Sequence, residues 1–279
     1  MLEAAHFDRT IDRSWRRTSF SGLTAGAHAA PAIEDDEPTK DDEPVAEPDA
    51  GLPVETDMPW GSLPAGMRFG TLVHEVFEDL RAAGAAAKDE LPAVVDHHAR
   101  RSGLDVDASL LSDAIALTLD TPLNGAGSIT LTDIPVADQL AEMTFELPVA
   151  IRAGSVSTAD LADLLAAHLG RDHPLARYPE RLRQMSGERF RGYLTGAIDV
   201  VARFGDPVGY WVMDYKTNRL DWPEPDIGAY APSGLAAAMV NGDYVLRALI
   251  YQVALHRYLD SGCLATNRGR TSAVRCGCS

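Results

Sequence analysis

Gly196-Ala-Ile-Asp199-Val-Val-Ala-Arg-Phe-Gly205-Asp-Pro-Val-Gly-Tyr210-Trp-Val-Met-Asp214-Tyr-Lys216-Thr-Asn218 is the stretch whose reading decides the fold. Two apolar runs rich in β-branched and aromatic residues flank a Gly-Asp-Pro-Val-Gly cluster, the pattern of a β-hairpin. If the chain reverses about Asp206-Pro207, Asp199 faces Asp214, Val201 faces Val212 and Ala197 faces Lys216. Side chains alternate along a strand, so Asp214 and Lys216 share one face and Asp199 points to the same side. Directly opposed carboxylates repel, and a half-buried pair is tolerated when a cation or a proton sits between them. A lysine beside a divalent cation and a scissile phosphate completes a hydrolytic site. A one-residue slip of register turns Asp199 to the other face. The competing reading is a solvated hairpin edge with exposed ion pairs, since surface carboxylates are common. The apolar runs before each aspartate, Ala-Ile and Trp-Val-Met, favour strands buried in a core.

Two further stretches carry pattern. Phe69-Gly-Thr-Leu-Val-His74-Glu-Val-Phe-Glu-Asp-Leu80 reads as an amphipathic helix over 70–81, with Leu72, Val73, Val76, Phe77 and Leu80 in one stripe and His74 and Glu75 off it. Glu75, Glu78 and Asp79 read as solvated helix charges. Tyr244-Val-Leu-Arg247-Ala-Leu-Ile-Tyr251-Gln-Val-Ala-Leu-His-Arg-Tyr-Leu259 reads as a second helix, with Asp243 as N-cap and Arg247 and Tyr251 at i and i+4 on one face. Its tyrosines are equally compatible with aromatic core packing.

Together these stretches resemble the RecB-type nuclease domain of the PD-(D/E)XK phosphodiesterase superfamily: a G-x-I-D strand, a short hairpin, D-Y-K-T-N, and one motif helix on either side in chain order. The resemblance implies an α/β, restriction-endonuclease-like core, with a central mixed sheet whose catalytic hairpin is flanked by helices. It implies metal-dependent DNA hydrolysis of the exodeoxyribonuclease V type in double-strand-break recombinational repair. Asp199, Asp214 and Lys216 are then catalytic. One or two Mg²⁺ ions are held by His74, Asp199, Asp214 and the Tyr215 carbonyl, in the oxygen-rich octahedral coordination that this ion demands. The metal activates a water and offsets developing charge, and Lys216 positions that water or stabilises the phosphorus centre. Tyr251 matches the family tyrosine and is implied to contact DNA. The family usually has glutamine where this chain has Arg247, which as an arginine still suits phosphate. The implied partners are DNA and RecC- and RecD-like subunits, or a separate helicase chain.

Composition bounds these expectations. The formal net charge of −16 sits poorly with a nucleic-acid enzyme until it is partitioned, because residues 34–57 alone carry −10, leaving −6 elsewhere. That Pro-rich acidic stretch reads as a disordered linker. No apolar run reaches the length of a membrane span and no signal pattern opens the chain, so no membrane partner and a cytoplasmic location are expected. The 3 cysteines, Cys263, Cys276 and Cys278, form neither a disulfide framework nor the four-cysteine iron-sulfur set of some family members. No iron-sulfur cluster is expected. No G-x-x-x-x-G-K-[ST] loop occurs, so no ATP site is expected in this chain.

Residues 1–33, basic from Arg9 to Arg17 and followed by Thr18-Ser-Phe-Ser-Gly-Leu, resemble the segment that joins helicase to nuclease in the family. Helices are expected near 91–101 and 107–119, the latter capped by Asp107, and His97-His98 reads as surface. Glu142-Met-Thr-Phe-Glu-Leu-Pro148 alternates as a strand, and Ser157-Thr-Ala-Asp160 starts a short packing helix with Leu161, Leu164, Leu165 and Leu169. Arg181, Arg183, Arg189 and Arg191 form a basic stretch in which Arg189 and Arg191 suit the DNA backbone; a solvated loop is the alternative. The domain is expected over 58–260. Residues 261–279, rich in Arg, Gly, Cys and Ser, read as an aberrant disordered tail that leaves the sheet one strand short. Three functional readings stand: a nuclease domain of a RecB-type helicase-nuclease without the helicase part, a truncated and catalytically impaired fragment serving as a DNA- or partner-binding module, and a stand-alone exonuclease.

Overall fold

A computed structural model of the chain describes residues 15–24, 59–123, 129–150, 154–185, 189–220, 227–263 and 274–276. The acidic stretch at 34–57 lies outside them. In chain order the elements are β1 (Trp15–Thr18), α1 (Phe20–Thr24), α2 (Met67–Ala83), α3 (Ala87–Ser102), α4 (Ala108–Asp120), β2 (Gln139–Val149), α5 (Thr158–His168), α6 (Tyr178–Gln184), β3 (Arg191–Phe204), β4 (Gly209–Met213), α7 (Pro232–Asn241), α8 (Tyr244–Cys263) and β5 (Val274–Cys276). They build an α/β fold, with a mixed five-stranded sheet flanked by helices.

The hairpin forms in the register that the sequence implies: β3 and β4 pair antiparallel, Val200 opposite Met213 and Val201 opposite Val212. The ladder stops one residue short of Asp199 and Asp214, which stand at its open end. β3 is the long central strand. β2 runs antiparallel along one of its edges from Gly192 to Ala202, so β1, parallel beside residues 191–194, and β4, beside 200–204, share the other edge. The C-terminal ends of β1 and β4 therefore approach one another along β3. Among the described residues, no strand covers 195–199 between them.

Alternation breaks at that same place. Leu194 and Ile198 share a core with Val201, whereas Val200, Ala202 and Phe204 pack on the opposite side with Trp211 and Met213. Across the ladder from Asp199 stands Glu142, whose φ of +48° is a left-handed conformation that a side chain disfavours. The kink exempts Asp199 from the strict two-residue periodicity and leaves it at the gap.

Helices cover the sheet for reasons visible in their patterns. The α2 stripe of Leu72, Val73, Val76, Phe77 and Leu80 is buried against Val95 of α3 and Leu111 and Ile115 of α4. Asp107 caps α4, its carboxylate accepting the Ser109 and Leu110 N–H groups. Ser157 and Asp160 form a reciprocal capping box on α5. On the other side, α6 and α8 bury Tyr178, Leu182, Leu246, Ile250 and Leu255 against β3.

Several expectations are corrected. Ahead of the span expected for the domain, β1 pairs with β3, so Trp15–Thr18 is part of the sheet. β1 runs so close that a Cβ at Gly192, where φ is +141°, would lie 1.9 Å from the Arg16 carbonyl oxygen. Leu164 is 58% exposed while Ala162 is the buried contact of α5. His98 is buried rather than on the surface: Glu75 and Asp79, one helical turn apart on α2, take its Nδ1 and Nε2 at 3.2 and 2.7 Å. Two carboxylates at i and i+4 share a face, and α3 covers that face. Within the stretch read as a tail, α8 continues to Cys263 and Val274–Cys276 pairs parallel with β4 as β5, occupying an edge that otherwise exposes unpaired backbone. Residues 264–273 and 277–279 lie outside the description.

Asp243 precedes α8 as expected, its carbonyl accepting the Leu246 and Arg247 N–H groups. It is fully buried, with φ +56°. Its carboxylate accepts from Arg181 Nη2 at 3.1 Å and from the Tyr178 hydroxyl at 3.4 Å, pinning α6 to the start of α8. Removing one partner of a buried ion pair strands the other charge. Asp243→Ala is expected to lower stability by about 3 kcal/mol, read as a lower urea midpoint. Asp243→Asn, which keeps the left-handed backbone accessible, is expected to lose less.

Candidate active site

The open end of the hairpin gathers side chains from several elements. Asp199 comes from the kink of β3, Asp214, Tyr215 and Lys216 from the chain leaving β4, His74 from α2, and Arg247 and Tyr251 from α8. Where β4 ends, the Tyr215 N–H donates to Asp199 Oδ2 at 2.8 Å, so a carboxylate takes the place of the next ladder bond. The Tyr215 ring stacks on Phe77 with ring centres 4.3 Å apart, which lays this segment along α2. Its carbonyl thereby meets His74 Nε2 at 2.8 Å. Gly70, one turn before His74, permits the approach: a Cβ there would sit 3.2 Å from Thr217 Oγ1. Asn218 Oδ1 accepts the Tyr244 hydroxyl at 3.2 Å and ties the far end of the segment to α8.

The charges are arranged in two groups. Asp199, only 15% exposed at its side chain, lies 3.5 Å from His74 Nδ1. Burial, and then the neighbouring Asp214 charge, push the Asp199 carboxyl up to about 6, against the opposing pull of His74, Lys216 and the Tyr215 N–H. Asp214 faces a cation on each oxygen, Lys216 Nζ 2.7 Å from Oδ2 and Arg247 Nη1 3.8 Å from Oδ1. Lys216 also donates to the Tyr215 carbonyl at 3.2 Å. The Arg247 guanidinium lies over the rings of Phe20, at 4.7 Å, and Tyr244, at 5.9 Å. Burial, then the Asp214 charge, raise the Tyr251 phenol above its ordinary value, so it keeps its proton.

The structure thus brings His74, Asp199, Asp214, Tyr215, Lys216, Arg247 and Tyr251 into one neighbourhood. It does not bring Arg189 and Arg191 there. Arg191 opens β3 opposite Trp15, eight residues of strand from Asp199, about 26 Å away. Arg189 donates to Ser155 and pairs with Asp160 at 3.5 Å. Two residues escaped sequence reasoning. Phe20 lay in view inside Thr18-Ser-Phe-Ser-Gly-Leu, but only packing shows it against Arg247. Glu142 reaches its place across from Asp199 through the β2 register alone, for which its local sequence carries no signal.

Among the described residues, no three His, Cys, Asp or Glu side chains are gathered as a metal cage. Asp214 is turned toward its two cations. The donor types still suit a hard divalent ion: a partly buried carboxylate with a raised pKa, a second carboxylate, a backbone carbonyl and an imidazole.

Fold and site therefore define an α/β protein with a partly buried carboxylate pair and a lysine at converging strand ends. The chain is 40% identical over 275 residues to the RecBCD enzyme subunit RecB of Mycobacterium tuberculosis, 37% over 274 to that of Mycolicibacterium smegmatis and 30% over 264 to that of Escherichia coli. Each match covers 92% of this chain but only 25, 25 and 20% of the relative, so the chain spans about a quarter or less of the relatives it matches. No family model matches it.

The Asp199 shift has a sign. A carboxyl whose folded pKa lies above its unfolded value makes the ionised form costly in the folded state, so the penalty is full above about pH 6 and fades as pH falls toward 4. Asp199→Asn, which keeps an acceptor for the Tyr215 N–H, is expected to stabilise the metal-free protein by about 2 kcal/mol at pH 8. Near pH 4 the gain is expected to vanish, as read by denaturant unfolding at both pH values. At Gly70, valine, whose branches add bulk beyond a Cβ already 3.2 Å from Thr217 Oγ1, is expected to force α2 away from Thr217 and lower the thermal midpoint by several degrees.

Proposed function

We propose that this chain is a metal-dependent deoxyribonuclease domain of the PD-(D/E)XK superfamily, the nuclease part of a RecB-type helicase-nuclease acting in double-strand-break repair. The observation that carries the reading is the partly buried Asp199 beside Asp214, with Lys216 Nζ 2.7 Å from the latter, at the open end of one hairpin. Similarity to RecB over nearly the whole chain supports it. DNA is the substrate in this reading, RecC- and RecD-like subunits are the partners, and the bacterial cytoplasm is the location. No helix among the described residues is long and apolar enough to cross a membrane, in keeping with such a place.

Asp199, Asp214, His74 and the Tyr215 carbonyl would hold the metal ion. When bound, Mg²⁺ supplies Lewis-acid activation of water and charge stabilisation at phosphorus. The chain's own groups do the rest. Asp199 is ionised above about pH 6, and it orients the attacking oxygen together with Asp214. Lys216, anchored between Asp214 and the Tyr215 carbonyl, presents its ammonium to the phosphate oxygens where negative charge accumulates. Tyr251, protonated, offers a donor to the same phosphate. Arg189 and Arg191, far along β3, would meet the DNA backbone away from the scissile bond.

The test is degradation of linear DNA by the purified chain with and without Mg²⁺, beside Asp214→Ala and Lys216→Ala, with circular dichroism to establish folding. Mg²⁺-dependent cleavage that falls at least about a hundredfold in both variants is the expected result. A folded wild-type chain that binds DNA without cutting it would leave a binding module in place of the nuclease.

A further inference from the structure

Resting on that reading, we infer that Arg247 is a built-in competitor for the metal, a fixed cation that holds Asp214 in the metal-free protein and sets the ion concentration at which the site loads. The chain puts a guanidinium 3.8 Å from Asp214 Oδ1. The group is not a mobile surface charge. Arg247 is 9% exposed, and its guanidinium is held over Phe20 from α1 and Tyr244 from its own helix. With Lys216 on Oδ2, both oxygens of Asp214 are matched by positive charge before any ion arrives.

This arrangement has two effects of opposite sense. It relieves the repulsion between Asp199 and Asp214, so the fold tolerates a partly buried carboxylate pair without an ion. It also lowers the site's affinity for a divalent ion, because Asp214 Oδ1 must leave Arg247 to ligate and because like charges a few ångströms apart repel at low effective dielectric. Phe20 extends the dependence to the N-terminal segment: α1 fixes the guanidinium and thereby the loading threshold. Arg247 is a positioning residue in this account, acting through Asp214.

The experiment titrates Mn²⁺ into the full chain by calorimetry, with bound ion followed independently by electron paramagnetic resonance, for wild type, Arg247→Gln and Arg247→Lys. Arg247→Gln is expected to bind Mn²⁺ roughly tenfold more tightly, while its metal-free form unfolds at a lower temperature than wild type. Arg247→Lys, which retains the charge, is expected to stay within about twofold of wild type. Should Arg247→Gln fail to fold, Arg247→Met keeps the stem's volume, removes the charge and carries the same expectation. Wild-type binding with unchanged or weaker affinity in the neutral variants overturns the role of Arg247 and leaves the nuclease reading standing. A wild-type chain that takes up no Mn²⁺ at millimolar concentration overturns both.

Discussion

Two carboxylates that cannot comfortably coexist set the terms for this structure. Asp199 and Asp214 occupy the open end of one hairpin, and burial makes the ionised form of Asp199 expensive. Three neighbouring elements supply groups that offset the charge. The chain after β4 contributes the Tyr215 N–H and Lys216, α2 contributes His74, and α8 contributes Arg247. The packing of α1, through Phe20 on the Arg247 guanidinium, belongs to the same compensation.

That concentration of charge is possible because the sheet leaves room for it. β2 occupies one edge of β3, while β1 and β4 take opposite ends of the other edge, and their C-terminal ends converge on 195–199. In open α/β sheets, ligands bind beyond the carboxyl ends of strands where the order changes. Here that place lies inside the span of a single long strand. The kink at Asp199 and Glu142 falls in the gap, so the catalytic candidate belongs to neither buried face.

The cations also bear on the reading of the site. The partly buried acidic pair is matched by Lys216 and Arg247, and under the proposed function a metal ion would load by exchanging with these protein cations. The same logic makes Arg247 and Phe20 part of the site although neither is a ligand.

Much of this was written in the chain. Hairpin register follows from the Gly-Asp-Pro-Val-Gly turn and the apolar runs beside it, which set Val200 opposite Met213 and leave Asp199 and Asp214 just beyond the ladder. The α2 stripe, the Asp107 cap and the Ser157 capping box follow from local periodicity and side-chain chemistry, which act within a few residues and so are legible in one dimension. Tertiary structure alone decided the rest. His98 is buried because α3 happens to cover the Glu75 and Asp79 face of α2. Trp15–Thr18 joins the sheet because β3 offers an open edge far away in sequence. The β2 register sets Glu142 across from Asp199, 57 residues away in sequence, and Phe20 meets Arg247 across more than 200. Such contacts depend on which surfaces meet in the folded chain, and no local pattern records which partner a free edge or helix face will take.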